Sequence, residues 1–202
     1  MQRVRFLNTE TNEIAYPEPL DVTGDRIIPS SGASTPPAGS LALNPLLTPA
    51  SLHWDVRHSL KTHVKDNGWR QREVNRLAEP ATFPPVARLE IRSPQLPWRV
   101  VVFPRTPNVF ITVYDVLVTI YKTLKTRIAP GEWERFDDGR KYSILDSKNR
   151  RAQEYEFGRK LDECYDHPRR VDFLGECSQF VGLVPTPYRS SNSFDLEFVR
   201  RG

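Results

Sequence analysis

Residues 89–128, LEIRSPQLPWRVVVFPRTPNVFITVYDVLVTIYKTLKTRI, decide the fold of this chain. In the segment 113–128 the apolar side chains recur every three or four residues, which is the spacing of one face of an α-helix. Thr112 is a suitable N-cap, and Asp115 three residues later predicts a capping box. We therefore expect one strongly amphipathic helix, with Leu117 on its buried face.

Two strands precede this helix. Residues 88–92 alternate charged and apolar side chains, as a half-buried strand does. Residues 98–103 are almost continuously apolar, which predicts a more central strand. Pro94 and Pro97 lie between the two segments and predict the turn that connects them.

The C-terminal third predicts a second helix and further strands. A charge-rich segment from about 147 to 164 has the pattern of a helix, and residues 170–174, 180–184 and 194–198 have that of short strands. The acidic pair 137–138, which precedes a glycine, predicts a turn. The fold class is therefore α+β, with a mainly antiparallel sheet of four or five strands packed by two main helices.

Length and composition bound the domain organisation. With 202 residues, of which 38% are hydrophobic, the chain is long enough to bury one sizeable core. Residues 29–40 are prolines and small side chains only, so we expect 1–40 to be an N-terminal arm with a flexible linker. Residues 41–202 then form a single globular domain.

The sequence also predicts an intracellular location, cytoplasmic or nuclear. No run of the about 18 apolar residues that a membrane span needs is present. Residues 1–6 lack the apolar core of a secretory signal, and two cysteines are too few for a disulfide scaffold. We expect no association with a membrane.

A basic stretch, residues 57–76, raises the question of nucleic-acid binding. It holds six Lys and Arg against two Asp and Glu, a surplus equal to the net charge of +4 of the whole chain. Trp69 would stack a base while Arg70, Arg72 and Arg76 follow a phosphate backbone. The competing interpretation is a solvated insertion, because no nucleic-acid recognition motif accompanies the stretch.

Four other side chains are candidate contacts for a ligand or a protein partner. Trp54 and Trp98 offer flat π faces, although a tryptophan beside a leucine-rich run or at the start of a strand also packs well in a core. Asp55 and Asp172 either belong to such a contact or cap and brace loops.

Cys164, His167 and Cys177 are side chains of the types that bind zinc or form a nucleophile–base pair. A structural zinc site takes four ligands, however, and a nucleophilic cysteine needs a base aimed at its sulfur. Two reduced cysteines are therefore the competing interpretation. No phosphate-binding loop, dinucleotide fingerprint or zinc-protease motif is present, and we expect no metal and no cofactor.

The order of several short motifs resembles a fungal, mainly basidiomycete, domain-of-unknown-function family, DUF6699. The resemblance covers about residues 41–199 and implies one α+β domain, without implying an activity. The motifs are a leucine–proline segment, a Leu-x-Trp-Asp box, a Pro-Ala-Thr turn, a Leu-Pro-Trp strand entry, a helix start and an Arg-Val-Asp motif. They correspond to Leu43–Leu47, Leu52–Asp55, Pro80–Thr82, Leu96–Trp98, Ile111–Leu117 and Arg170–Gly175.

Three function classes remain open from the sequence. The leading interpretation is a non-catalytic binding or protein-interaction module with an unknown protein partner or small ligand. The alternative is a small hydrolase or transferase whose site is built from dispersed His, Asp and Cys residues. The third is a nucleic-acid binder that uses residues 57–76.

Overall fold

The computed structural model of the protein describes residues 41–49, 51–66, 71–105, 110–156, 167–186 and 192–200. They all fall within one structural unit, Thr35–Gly202. The predicted arm and linker, residues 1–40, lie outside the described residues. The strands are β1 Ala42–Leu43, β2 Trp54–Asp55, β3 Thr82–Phe83, β4 Leu89–Ser93, β5 Leu96–Val102, β6 Gln179–Pro185 and β7 Ser193–Val199. The α-helices are α1 Leu60–Asp66, α2 Gln71–Arg76, α3 Val113–Lys125, α4 Pro130–Trp133 and α5 Asp138–Glu156, and 3₁₀ helices span Pro45–Leu47 and Arg170–Leu174.

A five-stranded sheet in the order β2–β6–β7–β4–β5 forms the centre of the fold, and β1 pairs with β3 in a separate two-stranded sheet. Three of the four pairings in the larger sheet are antiparallel, while β4 runs parallel to β7. The predicted α+β class is confirmed, and the sheet is mixed. Along β4 and β7 buried side chains alternate with more exposed ones, so one face of the sheet is covered and the other faces solvent.

Helix α3 covers part of the buried face, as its spacing predicts. Thr112 caps it, since its hydroxyl accepts a hydrogen bond from the Asp115 N–H (3.1 Å) and the Asp115 carboxylate accepts one from the Thr112 N–H (3.0 Å). Leu117 and Ile120 are fully buried. The helix packs against β5 and the 3₁₀ helix Arg170–Leu174.

The prediction of a central strand over residues 98–103 is wrong, because β5 is the last strand of the sheet. Its side chains are buried on one face only: Val100 and Val102 are buried, whereas Arg99 is exposed. Pro97 has no N–H and therefore suits a strand at a sheet edge.

Three predictions in the C-terminal third are also wrong. Residues 170–174 form a 3₁₀ helix instead of a strand, because the Asp172 carboxylate accepts a hydrogen bond from the Arg169 N–H (2.8 Å) at the start of the turn. The second helix, α5, begins at Asp138 instead of near 147. The predicted turn at 137–138 is the start of this helix, where the Asp137 side chain accepts a hydrogen bond from the Arg140 N–H (2.9 Å).

The predicted strands at 180–184 and 194–198 are confirmed as β6 and β7. Within the described ranges, the helices are too short or too polar to cross a membrane.

Candidate functional site

A charged cleft of about 250 Å³ lies beside α5 and the 3₁₀ helix Arg170–Leu174. Four arginines and three acids line it together with two serines. The arginines come from three parts of the chain that the fold brings together: the turn after β2, two neighbouring positions of α5, and the residue that follows β7. They are Arg57, Arg150, Arg151 and Arg200.

The deepest part of the cleft is a buried ion pair between Arg151 and Asp172. The Nε and Nη2 atoms of Arg151 donate to the two carboxylate oxygens of Asp172 at 2.6 and 2.9 Å, and the side chains are 3% and 1% exposed. Removing two charges from water costs several kcal/mol, so such a pair persists only with good geometry and further hydrogen bonds. Bidentate pairing supplies that geometry. The pair joins α5 to the 3₁₀ helix.

A second ion-pair chain forms one wall of the cleft. Arg57 donates to Asp55 at 2.6 Å and to Glu154 at 2.7 Å, which ties the end of β2 to the C-terminal part of α5. Burial alone would raise the pKa of Asp55, but hydrogen bonds from the Arg57 side chain and backbone, together with its charge, hold that pKa below its usual value. The hydrogen bond to Asp55 raises the pKa of Arg57.

Glu176 occupies the solvent-exposed rim. Its carboxylate bridges Arg150 and Arg200, both at 2.7 Å, and Arg150 also pairs with Asp146 at 3.1 Å. Most cationic groups of the cleft thus contact an acid of the protein itself. We interpret the cleft as a brace that holds α5 against the 3₁₀ helix Arg170–Leu174 and the turn after β2, because the α5 surface carries mainly polar side chains.

A second cluster lies on the covered side of the sheet at β5, and we call it the aromatic patch: Trp98, Trp133, Phe136 and Phe173. All four rings are partly exposed. Trp98 and Phe136 each contact Phe173, with ring centroids 5.3 and 5.2 Å apart, and Trp133 lies 6.4 Å from Phe136. These distances are typical of favourable aromatic contacts.

Two arginines and one acid complete the patch. The guanidinium carbon of Arg140 lies 3.9 Å from the ring centre of Phe173, and that of Arg170 lies 4.8 Å from Trp98. Glu132 accepts hydrogen bonds from the Trp98 indole N–H (2.8 Å) and from Arg170 (2.9 Å). Partial burial would raise the pKa of Glu132, but these donors and the Ala129 N–H hold it below its usual value.

The structure separates the four candidate contact residues. Asp172 lines the cleft, and Asp55 contributes to it through Arg57. Trp98 belongs to the aromatic patch. Trp54 is fully buried, where its indole N–H donates to the His58 carbonyl (3.0 Å), so its ring offers no surface to a ligand in this structure.

The nucleic-acid candidates are only partly covered by the structure. Trp69 and Arg70 lie outside the described residues, and so does the side chain of Arg72. Arg76 pairs with Glu79, with its Nε 3.4 Å from the carboxylate. Nucleic-acid binding through residues 57–76 stays a prediction.

Of the candidate metal or nucleophile residues, Cys164 lies outside the described part of the chain. Cys177 is a free thiol that is half-buried against the core. Among the described side chains, no group of three or more His, Cys, Asp or Glu is arranged to hold a metal ion.

Sequence reasoning missed most of the residues that build these two sites. In the sequence Arg151 is one of several charges in the charge-rich segment 147–164, and only its distant partner Asp172 shows its role. Trp133 and Phe136 carried a usable signal, because aromatic side chains three residues apart share one side of a helical turn.

Comparison with known proteins places these features in a family. The model of a family of unknown function (DUF6699) matches residues 52–193, which include β2, β4, β5 and all the residues of the aromatic patch. Searches of curated proteins and of solved structures found no match.

Proposed function

Because the chain belongs to a family of unknown function, DUF6699, we propose its function from its geometry: it is a non-catalytic, intracellular protein-interaction module. The observation that carries this proposal is the aromatic patch. Four partly exposed rings, two stacked arginines and one acid are gathered at a single site.

The composition of the patch matches that of protein–protein interfaces. Aromatic residues and arginine are enriched in such interfaces, and Trp and Arg dominate the few residues that supply most of the binding energy. Arg140 covers the Phe173 ring and Arg170 covers the Trp98 ring, which keeps these two rings in contact with polar groups. Trp133 and Phe136 do not belong to the main core cluster, which leaves them available to a partner.

The direction of the pKa shifts argues against Asp55 and Glu132 as the general acid of a hydrolase or transferase. A general acid at neutral pH needs a carboxyl group with a raised pKa. Asp55 in the cleft wall and Glu132 in the patch both have a lowered pKa, because arginines and N–H groups stabilise their ionised forms. Both acids act as ion-pair and hydrogen-bond partners.

Affinity capture with the full chain tests the proposal. Wild-type protein, Trp133→Ala and the control Tyr142→Ala are used as baits in extracts of the source cells, and the captured proteins are quantified by mass spectrometry. Tyr142 is a suitable control because it is an 81% exposed aromatic side chain on α5 outside the patch. Thermal unfolding of each bait checks that it is folded.

We expect a protein that wild type and Tyr142→Ala retain and that Trp133→Ala loses by about tenfold or more, since truncating a central interface residue costs about 2 kcal/mol or more. Retention of the same proteins by all three baits would contradict a role for the patch. Capture of no protein, combined with turnover of a small molecule by the purified chain, would contradict the interaction module itself.

A further inference from the structure

The backbone of β4 fixes which groups of β5 face solvent. The N–H of Glu90 donates to the Asn192 carbonyl (3.0 Å), so the polar backbone groups of Glu90 point toward β7. Successive residues of a strand direct these groups to opposite sides. The backbone groups of Leu89 and Ile91 therefore point toward β5.

The outer edge of β5 is consequently formed by Arg99 and Val101. Leu89 and Ile91 are paired with Val102 and Val100, whose backbone groups are used in the ladder. Val101 lies between these two pairs, so its N–H and C=O groups point away from the sheet. The register shifts beyond Val100, but burial along β5 continues to alternate there, which places the backbone groups of Arg99 outward as well. Across the part of the chain that the structure describes, these outward groups have no hydrogen-bond partner. Such an edge is a template for an added strand.

The solvent-facing side of the β4–β5 hairpin is positively charged. Three arginines, Arg88, Arg92 and Arg99, lie near Glu90, and β7 places Asp195 opposite Arg92, which leaves a local surplus of one positive charge. Arg92 pairs with Glu90 at 2.6 Å, and this hydrogen bond, with the nearby arginine charges, lowers the pKa of Glu90. Arg99 is the arginine that lies on the edge strand itself.

Apolar side chains accompany this charge on both faces of β5. On the solvent-facing side, Phe103 at the strand end is 56% exposed. On the other side, Trp98 joins the edge to the aromatic patch. A strand added to β5 would therefore meet arginine charge on one face and aromatic rings on the other.

We propose that the β5 edge binds an extended peptide segment in which acidic and apolar side chains alternate, by adding it to the sheet as a sixth strand. This proposal rests on the proposed function and names the partner of the same site. The acidic side chains face the hairpin arginines, and the apolar ones contact Trp98 and the rest of the patch. Arg99 and Val101 supply the main-chain hydrogen bonds.

Charge argues against a second copy of this chain as the occupant. If two β5 edges paired with each other, the arginine-rich side of each hairpin would lie beside that of its partner. Like charges directly opposite each other destabilise a strand pair. An acidic segment converts the same surface into an attractive one.

Selection from a random peptide library tests the proposal. A phage-displayed library of 12-residue peptides is selected at low salt on the 202-residue wild-type chain, on Arg99→Glu and on the control Lys122→Glu. Both variants change charge by the same amount, and Lys122 is an exposed residue of α3 away from the hairpin. The peptide most enriched on wild type is synthesised, its affinity is measured, and amide hydrogen exchange is followed by NMR with and without it.

We expect peptides with alternating acidic and apolar residues, which bind Arg99→Glu about tenfold more weakly than wild type or Lys122→Glu. The peptide should slow the exchange of the Arg99 and Val101 amides. The amides of Val100 and Val102 should change little, because they already bond to β4.

Three results would overturn the proposal. They are no enrichment on wild type over Arg99→Glu, a peptide that leaves the Arg99 and Val101 amides in fast exchange, and protection of these amides by self-association of the free chain. If affinity capture still identifies a partner that depends on Trp133, the interaction module stands and only the strand-addition mode fails. If capture also fails, both proposals fail.

Discussion

Removing the Asp172 carboxylate tests how the buried ion pair holds α5 to the rest of the fold. Asp172→Ala leaves the Arg151 guanidinium in a site where its side chain is only 3% exposed, after the bidentate carboxylate has been removed. Breaking one partner of a buried pair costs about 3–5 kcal/mol. The total stability expected for a domain is about 5–15 kcal/mol. At about 2–4 °C per kcal/mol, Tm should fall by about 6–20 °C.

Urea unfolding followed by tryptophan fluorescence measures this cost, and Glu176→Ala is the matched control. Glu176 also pairs with arginines in the cleft, but its side chain is 45% exposed. Removing an exposed partner should cost less than about 1 kcal/mol. Equal unfolding midpoints for the two variants would contradict the conclusion that the buried pair, rather than the rim, braces α5.

A double-mutant cycle separates the pair from the packing around it. Arg151→Met alone also leaves one buried charge, whereas the double variant with Asp172→Leu leaves none. We expect the double variant to be much less destabilised than the sum of the single variants, since a buried pair replaced by apolar residues often costs little. Strictly additive costs would show that the two side chains do not interact.

Other expected outcomes follow from the fold and the charges. Leu117→Ala should cost about 2–5 kcal/mol by lost burial and cavity formation, whereas Lys122→Ala should change stability by less than about 0.5 kcal/mol; equal urea midpoints would contradict the assignment of the α3 face. Asp55→Asn should cost about 1.5–3 kcal/mol at pH 7. The pKa of Asp55 is lowered in the folded state, so its ionised form stabilises the fold at any pH above the unfolded-state pKa of about 3.9. The difference in unfolding free energy between wild type and Asp55→Asn should therefore shrink as the pH falls below about 4. A difference that stays constant with pH would contradict this stabilising role of Asp55. Neutralising the three arginines of the basic stretch should leave the unfolding midpoint unchanged. If neither wild type nor this triple variant shifts DNA or RNA in a gel assay at low salt, the nucleic-acid alternative is excluded. These arginines are Arg70, Arg72 and Arg76.

The local parts of the fold were predictable from the sequence. The spacing of apolar residues in α3 depends only on the helix period, and the Thr112 cap on a contact three residues away. The alternation in β4 and β7 likewise reflects one buried face. These signals are contained in short windows, so no tertiary information is needed to recognise them.

Two of the errors involve contacts that a short window of sequence does not show. The Arg-Val-Asp segment at 170–172 has the side chains of a strand, but the Asp172 carboxylate accepts from the Arg169 N–H and also bonds to Arg151, which lies 21 residues earlier. The edge position of β5 could not be predicted for a similar reason. The apolar run over 98–103 indicates burial, but it does not show that the second neighbour of β4 is β7, which leaves β5 with β4 as its single partner in the described sheet.

The candidate site was predictable only in part. Trp98 was singled out for its flat ring and lies in the aromatic patch. Its neighbours Phe136 and Phe173 come from separate segments that meet only in the folded chain. The arginines stacked on these rings could not be distinguished by sequence from other surface charges, because cation–π geometry depends on tertiary placement.

Amide hydrogen exchange of the free 202-residue chain, followed by NMR, tests most directly whether the β5 edge is open. If the outward N–H groups of β5 have no hydrogen-bond acceptor in the free chain, the Arg99 and Val101 amides should exchange as rapidly as other solvent-exposed amides. Those of Val100 and Val102, which bond to β4, should exchange far more slowly. Strong protection of all four amides in the monomeric chain would contradict an unpaired β5 edge, because it would mean that another segment of the protein already pairs with that edge.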